Sequence, residues 1–199
     1  MVSLVDHDAA LAALAGGEVV AIPTDTVYGL AARAEDKQAC QRIFQLKGRP
    51  ERVALPVLVA DVAMATHLAA PDVATALKRL AVAFWPGPLT VVVARAPGVD
   101  LELGGDAASI GLRCPGDEVA QALCREVGPL ATTSANAHGG PPCHSAREVA
   151  ACFRDQRLAV LDGGVRDGTP SSVVALLAAE PVLLRAGPVG FAAVCEALA

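Results

Sequence analysis

Short apolar segments alternate with amphipathic segments along most of the chain, and this order predicts an α/β fold. Apolar runs of about four to eight residues indicate buried strands, whereas apolar residues three and four positions apart indicate helices. Strands are predicted at residues 19–22, 55–59, 89–94, 109–113, 130–133, 158–161, 173–177 and 182–184. Helices are predicted at residues 8–15, 36–46, 62–68, 72–84, 118–127, 145–153 and 192–198. Because several strands follow one another directly, the sheet is expected to be mixed.

Length and composition are typical of one folded domain. The chain has 199 residues, of which 53% are hydrophobic and 19% are charged. No apolar run reaches the roughly 20 residues that cross a bilayer, and the N-terminus lacks the basic and apolar regions of a secretory signal. We therefore expect a single domain over residues 1–199, located in the cytoplasm and without membrane contact.

Net charge, aromatic content and cysteine spacing argue against several classes of function. A formal net charge of -5 disfavours general nucleic-acid binding, although it is compatible with a local basic groove. One Trp, one Tyr and four Phe offer little surface for stacking bases. The six cysteines form no C-x-x-C motif, and Cys143 with His138 and His144 matches no zinc-site spacing. The cysteines are expected to be reduced and to pack as small hydrophobic residues.

Two pairs of polar residues are the strongest candidates for a binding site. In the motif KGRP, Lys47 and Arg49 are two positions apart, and the following proline favours an extended backbone at Arg49. Side chains two positions apart on an extended segment point to the same side. Ser134 and Asn136 repeat this spacing with neutral donors and acceptors. We interpret the two pairs as facing each other across an anion-binding cleft.

Other polar candidates lie at the ends of predicted strands, where ligands bind in α/β sheets. Thr26 is in the hydroxyl-rich loop 23–30, which follows the first predicted strand. Arg113 is on a strand face, where burial is costly unless the guanidinium meets an anion or a carboxylate. A ligand contact and a structural salt bridge explain Arg113 equally well. Ser171 and Arg185 also lie beside apolar strands.

Known nucleotide-binding and hydrolase motifs do not occur in the sequence. It contains no Walker A motif, no G-x-G-x-x-G after a strand and no G-x-S-x-G turn. The cations and hydroxyls that remain suit phosphates and a carboxylate. We therefore expect catalysis by positioning and charge neutralisation, without a covalent nucleophile.

Several separate motifs follow one another in a fixed order between about Val19 and Gly187. They read PTDTVYGLA, KGRP, WPGPLT, IGLRCP, TTSAN, GGPP, SSVV and LLRAG. In this order they resemble the YrdC family, the threonylcarbamoyl-AMP synthases, in its short single-domain form. The resemblance implies a twisted mixed sheet flanked by helices, with a large concave and positively charged cleft. It also implies that L-threonine, bicarbonate and ATP are joined into threonylcarbamoyl-AMP, with release of pyrophosphate, for the t6A modification of tRNA.

The resemblance further implies a role for each candidate residue. Lys47 and Arg49 would be the catalytic residues, because they offset charge on the phosphates. The implied ATP-binding residues are Lys47, Arg49, Ser109, Ser134, Asn136, Pro142 and Arg185. The implied threonine-binding residues are Thr26, Arg113, Thr132 and Ser171. The protein would supply no metal ligand, since Mg²⁺ would enter with ATP, and no tightly bound organic cofactor is implied.

The sequence departs from the family pattern at Val53, Ala54, Leu58 and Ala175. These departures concern residues around the predicted site more than the reaction itself. Two other functions are compatible with the sequence: a module for RNA binding or maturation, and a related enzyme that forms a carbamoyl-adenylate. The expected functional partners of a synthase are the proteins that transfer the threonylcarbamoyl group to tRNA, with direct RNA binding as a further possibility.

Overall fold

A computed structural model describes residues 1–199, which form ten strands, seven α-helices and a short 3-10 helix at Pro71–Val73. The strands are β1 (Val2–Val5), β2 (Val20–Ile22), β3 (Gly29–Arg33), β4 (Val57–Leu58), β5 (Leu89–Ala94), β6 (Ser109–Arg113), β7 (Leu130–Ser134), β8 (Leu158–Leu161), β9 (Ser172–Ala175) and β10 (Val182–Arg185). The helices are α1 (His7–Ala15), α2 (Lys37–Lys47), α3 (Val62–Leu68), α4 (Ala74–Phe84), α5 (Glu118–Val127), α6 (Ala146–Cys152) and α7 (Phe191–Leu198). None of these helices is both long enough and apolar enough to cross a lipid bilayer.

All ten strands belong to one mixed sheet, in the order β1-β8-β2-β3-β7-β4-β6-β5-β9-β10. The pairs β1/β8, β2/β8, β4/β6 and β5/β9 are parallel. The pairs β2/β3, β3/β7, β4/β7, β5/β6 and β9/β10 are antiparallel. The predicted α/β fold with a mixed sheet is therefore confirmed.

Most helices begin at a side chain that caps a free main-chain N–H group. An Asp or Ser oxygen accepts a hydrogen bond from the third helical residue, which satisfies one of the donors left unpaired at a helix start. The capping residues are Asp6 for α1, Asp36 for α2, Asp61 for α3, Asp117 for α5 and Ser145 for α6. The sequence therefore fixes where these helices start, and Asp36 in particular sets the start of the helix that ends at Lys47.

Alternation along the strands builds a separate core on each face of the sheet. In β7, Ala131 belongs to a core of 36 buried residues, whereas its neighbour Leu130 belongs to a core of 12 on the opposite face. Residues from α1 and α5, including Leu14 and Leu123, complete the smaller core. This smaller core includes no residue from β5, β6, β9 or β10. The same face is therefore left open over these strands, and a concave cleft results.

Two strands were not predicted from the sequence. Residues 29–30 were assigned to the loop 23–30, but Gly29–Arg33 forms β3, which pairs with both β2 and β7. Gly and Ala have a low intrinsic preference for strands. Pairing with β2 and β7, rather than local preference, therefore gives the segment its extended conformation. The N-terminal Val2–Val5 forms β1, an edge strand whose residues are half-buried or exposed. Its lack of a clear buried face explains why its pattern was not recognised.

Candidate active site

A cavity of about 140 Å³ opens on the part of the sheet that α1 and α5 leave uncovered. The lining combines three arginines with many hydroxyl groups, and no Asp or Glu contributes to it. Its Arg, Ser and Thr residues are Thr24, Thr26, Arg49, Thr90, Arg113, Thr132, Thr133, Ser134, Ser171 and Arg185. A cavity with this lining suits an anionic ligand that also carries hydroxyl or amide groups.

Strand alternation places these polar side chains on the cavity side of the sheet. Arg113 and Thr90 line the cavity, whereas their strand neighbours Leu112 and Val91 lie in the larger core on the other face. Most cavity residues come from, or lie directly beside, seven strands that are consecutive in the sheet, from β3 to β10, whereas Thr24, Thr26 and Arg49 come from loops. The continuous apolar packing on the opposite face therefore holds the cavity side chains in place.

Lys47 makes direct contact with both residues of the pair Ser134 and Asn136. Its Nζ donates hydrogen bonds to the main-chain oxygens of Ser134 at 2.7 Å and Asn136 at 2.9 Å. It also donates to Oδ1 of Asn136 at 2.7 Å and lies 3.3 Å from Oγ of Ser134. An ammonium group has three N–H donors, so these oxygens use all of them. Lys47 is buried and does not line the cavity.

This geometry corrects the interpretation of KGRP as an extended segment. Lys47 is the last residue of α2, and Gly48 adopts a left-handed conformation with φ of 62°, which ends the helix. Lys47 and Arg49 therefore do not project side by side. The predicted cleft between the two pairs is also wrong, because Lys47 touches Ser134 and Asn136 directly. Of these four residues, only Arg49 and Ser134 line the cavity.

Asn136 fastens the loop that follows β7. Its Nδ2 donates to the main-chain oxygens of Ala137 at 2.9 Å and Gly140 at 2.6 Å. Its Oδ1 accepts from Lys47 and from Oγ of Ser134, the latter at 2.6 Å. All the hydrogen-bonding groups of its side chain thus have partners in the protein. Asn136 therefore orients Ser134 toward the cavity, where Ser134 can meet a ligand.

Burial weakens the proton affinity of Lys47. Desolvation is the main cause, with a smaller contribution from the charge of Arg49, and together they lower the pKa of Lys47 to about 8. Removing the proton would leave the same four oxygens around an amine with only two N–H donors. The hydrogen-bonded state of the loop after β7 is thus linked to the protonation of Lys47.

Arg49 and Arg185 bring two positive charges to the cavity. Nε and Nη2 of Arg49 donate to the main-chain oxygens of Val53 and Ala54, each at 2.9 Å. Nε and Nη2 of Arg185 donate to the main-chain oxygen and to Oγ of Ser171, at 2.9 and 3.0 Å. Burial lowers the pKa of Arg49, and the charge of Arg185 lowers it further. The two guanidinium groups repel each other, so an anion between them would be stabilised.

Arg113 forms the structural ion pair that was one of its two predicted roles, and it also faces the cavity. Nη2 lies 2.6 Å from Oδ1 of Asp25, Nη1 donates to Oγ1 of Thr26 at 3.1 Å, and Nε donates to the main-chain oxygen of Gly87 at 3.0 Å. A guanidinium has five N–H donors, so 5 − 3 = 2 remain for a ligand. Burial lowers the pKa of Arg113, and Asp25 partly opposes this effect. Asp25 thus holds the guanidinium while leaving part of it free.

The loop between β2 and β3 is shaped by Thr24. Its hydroxyl donates to the main-chain oxygen of Val27 at 2.6 Å, and the main-chain N–H groups of Thr26 and Val27 approach it at 3.2 and 3.3 Å. Oγ1 of Thr26 lies 3.0 Å from that of Thr24, so the two hydroxyls form a pair beside Arg113. Thr26 thus lines the cavity, as its predicted contact with a ligand requires.

Thr132 and Ser171 also line the cavity, as their predicted roles require. Oγ1 of Thr132 donates to the main-chain oxygen of Leu30 at 3.0 Å. Gly29 leaves space for the Thr132 hydroxyl, since a Cβ atom at Gly29 would lie 2.9 Å from Oγ1 of Thr132. Oγ of Ser171 lies 2.9 Å from Oγ1 of Thr90, and it accepts from Arg185. Ser171 therefore links the hydroxyl-rich floor of the cavity to one of its arginines.

Besides Lys47 and Asn136, two further residues predicted to bind ATP lie outside the cavity. Ser109 is the first residue of β6, and its hydroxyl donates to the main-chain oxygen of Asp106 at 3.3 Å. It shares a strand face with Arg113 but lies four residues away along β6. Pro142 is half-buried in the segment between β7 and α6. Neither residue contributes to the cavity lining, so their assignment to ATP remains a prediction.

Some residues of the cavity and its support were not predicted from the sequence. Thr24, Thr90 and Thr133 line the cavity and Asp25 holds Arg113, but none of the four was proposed as a site residue from the sequence. Thr90 belongs to the motif WPGPLT and Thr133 to TTSAN, so both residues could have been identified as candidates from these motifs. The signal for Asp25 was weaker, because its role depends on Arg113, which is 88 residues away.

The four departures from the family pattern affect the site differently. Val53 and Ala54 meet Arg49 through main-chain oxygens, so their side chains do not determine this contact. Leu58 is buried and gives the cavity an apolar wall. Ala175 is buried at the end of β9, away from the cavity lining. Leu58 is therefore the one departure that changes the lining itself.

The sequence matches a known protein family over most of its length. Residues 12–187 match the family of Sua5, YciO and YrdC proteins, which is described as Telomere recombination. A putative threonylcarbamoyl-AMP synthase of Mycobacterium tuberculosis is 38% identical over 192 residues, which cover 95% of this chain and 87% of the relative. The threonylcarbamoyl-AMP synthase of Bacillus subtilis is also 38% identical, over 89% of this chain and 52% of its own length.

The fold also matches a solved structure. The crystal structure of Pyrococcus abyssi Sua5 complexed with L-threonine is similar over 100% of this chain, with a TM-score of 0.90 and 34% sequence identity. The chain spans only 61% of that Sua5 chain. The similarity therefore covers every strand and helix described above, but not the remainder of the longer protein.

Proposed function

Because the chain belongs to the Sua5/YciO/YrdC family, we propose that it is a threonylcarbamoyl-AMP synthase that acts in the t6A modification of tRNA. The observation that carries the proposal is the cavity that joins three arginines, Arg49, Arg113 and Arg185, to a floor of hydroxyls and contains no carboxylate. Its substrates, L-threonine, bicarbonate and ATP, carry negative charges that such a lining can neutralise.

The proposed reaction has two steps. The amine of threonine first takes up the carbon of bicarbonate, which gives a carbamate and water. A carbamate oxygen then attacks the α-phosphorus of ATP, a new P–O bond forms, and the bond to pyrophosphate breaks. Negative charge accumulates on the phosphate oxygens during this step. Fixed cations in a partly dry cavity stabilise that charge without reorganisation, so positioning and electrostatics account for the catalysis.

Arg113 and Thr26 form the proposed site for the threonine carboxylate. Arg113 keeps two N–H donors free, and Asp25 prevents its guanidinium from turning away. Thr132 and Ser171 line the same cavity and offer hydroxyl oxygens to the amine and hydroxyl of threonine. A carboxylate held by one guanidinium and a hydroxyl leaves the amine free to form the carbamate.

Arg49, Arg185 and Ser134 form the proposed site for the phosphates of ATP. All three line the cavity, and the two arginines keep N–H donors that the protein does not use. Lys47 and Asn136 lie outside the cavity lining and would act as positioning residues that orient Ser134. We accordingly propose Arg49, rather than Lys47, as the member of KGRP that touches the substrates.

Mg²⁺ is proposed to enter as the complex with ATP. Mg²⁺ prefers oxygen ligands, above all carboxylates and phosphates. The cavity lining has no Asp or Glu, and the Asp25 carboxylate behind it is paired with Arg113. The donor set therefore fits a metal held by the phosphates, which would neutralise charge on pyrophosphate. Chelation by EDTA is expected to stop the reaction and added Mg²⁺ to restore it.

The proposed product implies a functional partner and a cellular location for the enzyme. Threonylcarbamoyl-AMP is an activated acyl group, so a second protein that transfers it to tRNA is the proposed functional partner. ATP and tRNA are cytoplasmic, and we propose that location for the reaction. No contact between this chain and RNA is needed for the step described.

A pyrophosphate assay tests the proposal. The purified protein is incubated with ATP, Mg²⁺ and bicarbonate, with and without L-threonine, and pyrophosphate release is measured. The proposal expects release that depends on threonine. In a parallel incubation with carbamoyl phosphate in place of bicarbonate and threonine, pyrophosphate release that depends on carbamoyl phosphate would favour a related enzyme that forms a carbamoyl-adenylate. Retention of tRNA at physiological salt without any release would favour an RNA-binding module.

A further inference from the structure

The segment between β8 and β9, residues 162–171, lies against the loop between β2 and β3 and forms neither a helix nor a strand. We call this segment the strap. Near its start, the N–H of Gly163 donates to the hydroxyl of Tyr28, which in turn donates to the main-chain oxygen of Gly164, each at 2.9 Å. At its end, Ser171 lines the cavity. The strap therefore runs from a buried tyrosine to the floor of the candidate site.

Arg166 ties the strap to the start of α5. Its Nη2 lies 2.9 Å from Oδ2 of Asp117, and the two side chains are 24% and 8% exposed. Oδ1 of Asp117 accepts from the N–H of Ala120 at 2.9 Å and caps α5. Asp117 thus uses one carboxylate oxygen for its helix and the other for the strap. Because the pair is largely shielded from water, salt screens the attraction between its charges less than at the surface.

Asp25 is packed against both of the segments that this ion pair joins. Gly116, the residue before the cap of α5, lies so close to Asp25 that an added Cβ atom would be 3.3 Å from the carboxylate carbon. Gly168, two residues along the strap from the ion pair, approaches the main chain of the same loop. An added Cβ atom there would be 3.0 Å from the main-chain oxygen of Asp25 and 2.7 Å from that of Thr26. Since these two residues hold Arg113, the ion pair joins the segments that flank this contact.

We propose that Arg166 and Asp117 are positioning residues for threonine, because their ion pair keeps the loop between β2 and β3 in place. The role in threonine binding rests on the proposed function, whereas the effect on the loop does not. Neither residue lines the cavity, so neither is expected to touch a substrate. The pair limits movement of the strap away from α5. Asp25 and Thr26 then keep the free N–H donors of Arg113 directed into the cavity.

The side chain of Arg166 can be changed without releasing the strap altogether. The main-chain N–H of Arg166 donates to the main-chain oxygen of His144 at 2.7 Å, and the main-chain oxygen of Arg166 lies 2.6 Å from Nδ1 of His144. These contacts use no atom of the guanidinium. Arg166→Gln should therefore leave the strap attached to the protein while it removes the ionic tie to α5.

Hydrogen–deuterium exchange followed by mass spectrometry tests the effect on the loop. In Arg166→Gln, peptides that cover residues 23–28 should exchange at least about fivefold faster than in the wild type, because local opening of the loop becomes easier. The matched control is Arg125→Gln, which removes an exposed arginine from the last turn of α5 and should exchange as the wild type does. Equal exchange of residues 23–28 in Arg166→Gln and wild type would overturn the proposal.

Steady-state kinetics separate positioning from general destabilisation. Arg166→Gln should raise the KM for threonine about tenfold and leave the KM for ATP as in the wild type. A variant that only unfolds more easily loses active protein, which lowers kcat and changes neither KM. Arg166→Lys keeps a cation opposite Asp117 and should recover most of the threonine affinity. A wild-type KM for threonine in Arg166→Gln would refute the positioning role.

A double variant covers the case in which the Asp117 carboxylate cannot stay buried without its partner. In Arg166→Met with Asp117→Asn, the asparagine keeps an oxygen that can cap α5, so the protein should fold. Its KM for threonine should stay as high as in Arg166→Gln, and a wild-type value would contradict the proposal. If wild-type protein releases no threonine-dependent pyrophosphate, the proposed function fails, and the exchange of residues 23–28 still decides whether the ion pair holds the loop.

Discussion

Nζ of Lys47 lies 2.7 Å from Oδ1 of Asn136, and this contact gives the two cations of KGRP different roles. Lys47 uses its N–H donors on the segment after β7 and is shielded from the cavity. Arg49 lines the cavity and keeps part of its guanidinium free. A single motif thus supplies one residue that holds the site together and one that faces the substrates.

Replacing each cation should therefore have a different effect on stability. Lys47→Met should lower the free energy of unfolding by about 2–4 kcal/mol, because buried oxygens of Ser134 and Asn136 lose their donor. Arg49→Ala should lower it by less than about 1 kcal/mol, since its two hydrogen bonds to main-chain oxygens are exposed and its bond to Thr133 is long, at 3.5 Å. Urea unfolding followed by circular dichroism gives both values.

The loss of activity in Arg49→Ala should be much larger than its small loss of stability suggests. Arg49→Ala should stop turnover while the protein stays folded, because the phosphates lose a cation. The control is Arg52→Ala, which removes an exposed arginine outside the cavity and should behave as the wild type. An active Arg49→Ala protein would show that the centre of the site lies elsewhere.

Arg113 should matter for both binding and folding. Arg113→Ala should weaken threonine binding by about ten- to a hundredfold through loss of a charge-assisted contact. It should also destabilise the protein by about 3–5 kcal/mol, because the Asp25 carboxylate loses its partner. Calorimetric titration with threonine measures the first effect and urea unfolding the second.

A second substitution separates the two effects of Arg113. In Arg113→Ala with Asp25→Asn, the uncompensated carboxylate is gone, so much of the stability should return while threonine binding stays weak. Recovery of threonine binding in the double variant would mean that Arg113 acts only through the structural ion pair.

The protonation of Lys47 predicts opposite pH dependences of stability and activity. The pKa of Lys47 is lowered from its ordinary 10.5 to about 8 in the folded chain. Between these pH values the unfolded chain binds more protons, so this group increases stability as pH rises from about 8 to about 10.5. Activity should fall over the same range, since a neutral amine holds Ser134 and Asn136 less well.

Comparison with Lys47→Met isolates this effect. Buried thiols such as Cys124, whose pKa is raised to about 12, have the opposite influence on stability at high pH, but they are present in both proteins. The difference in unfolding free energy, wild type minus variant, should therefore increase above pH 8. Rising pH also frees the amine of threonine, which alone would accelerate the reaction. Wild-type activity that keeps rising through pH 9 would contradict the proposed role of Lys47.

Gly29 should be required for the shape of the threonine site. In Gly29→Ala the new Cβ would lie 2.9 Å from Oγ1 of Thr132, so Thr132 must move or lose its hydrogen bond to Leu30. We expect threonine affinity to fall about tenfold, equivalent to about 1.4 kcal/mol. Gly190→Ala is the matched control, because its Cβ would meet nothing within 4 Å. Equal threonine affinity in the two variants would contradict the assignment of Thr132.

The sequence predicted those parts of the site that depend on short-range patterns. Thr26 was recognised as a candidate because ligands bind at strand ends in α/β sheets, and Arg113 because a buried guanidinium requires an anion or a carboxylate. All seven α-helices were also predicted, since apolar residues three and four positions apart indicate their buried faces. The pairing of Arg113 with Asp25 was not predicted, because it joins residues that are distant in sequence and contributes no local pattern.

The error in KGRP has a physical explanation. The proline after Arg49 restricts only the residue before it, so it carries no information about Lys47. Gly48 ends α2 in a left-handed conformation, which a glycine adopts without strain. The same glycine turns Arg49 away from Lys47. Recognising Gly48 as a helix end would have corrected the prediction.

The identity of the product tests the proposed function most directly. The protein should be incubated with ATP, Mg²⁺, L-threonine and carbon-14 bicarbonate, and the nucleotides separated and identified by mass. The label is expected in threonylcarbamoyl-AMP, formed together with pyrophosphate and absent when threonine is omitted or when Arg49→Ala replaces the wild type. ATP consumed without labelled threonylcarbamoyl-AMP would contradict the proposed synthase activity.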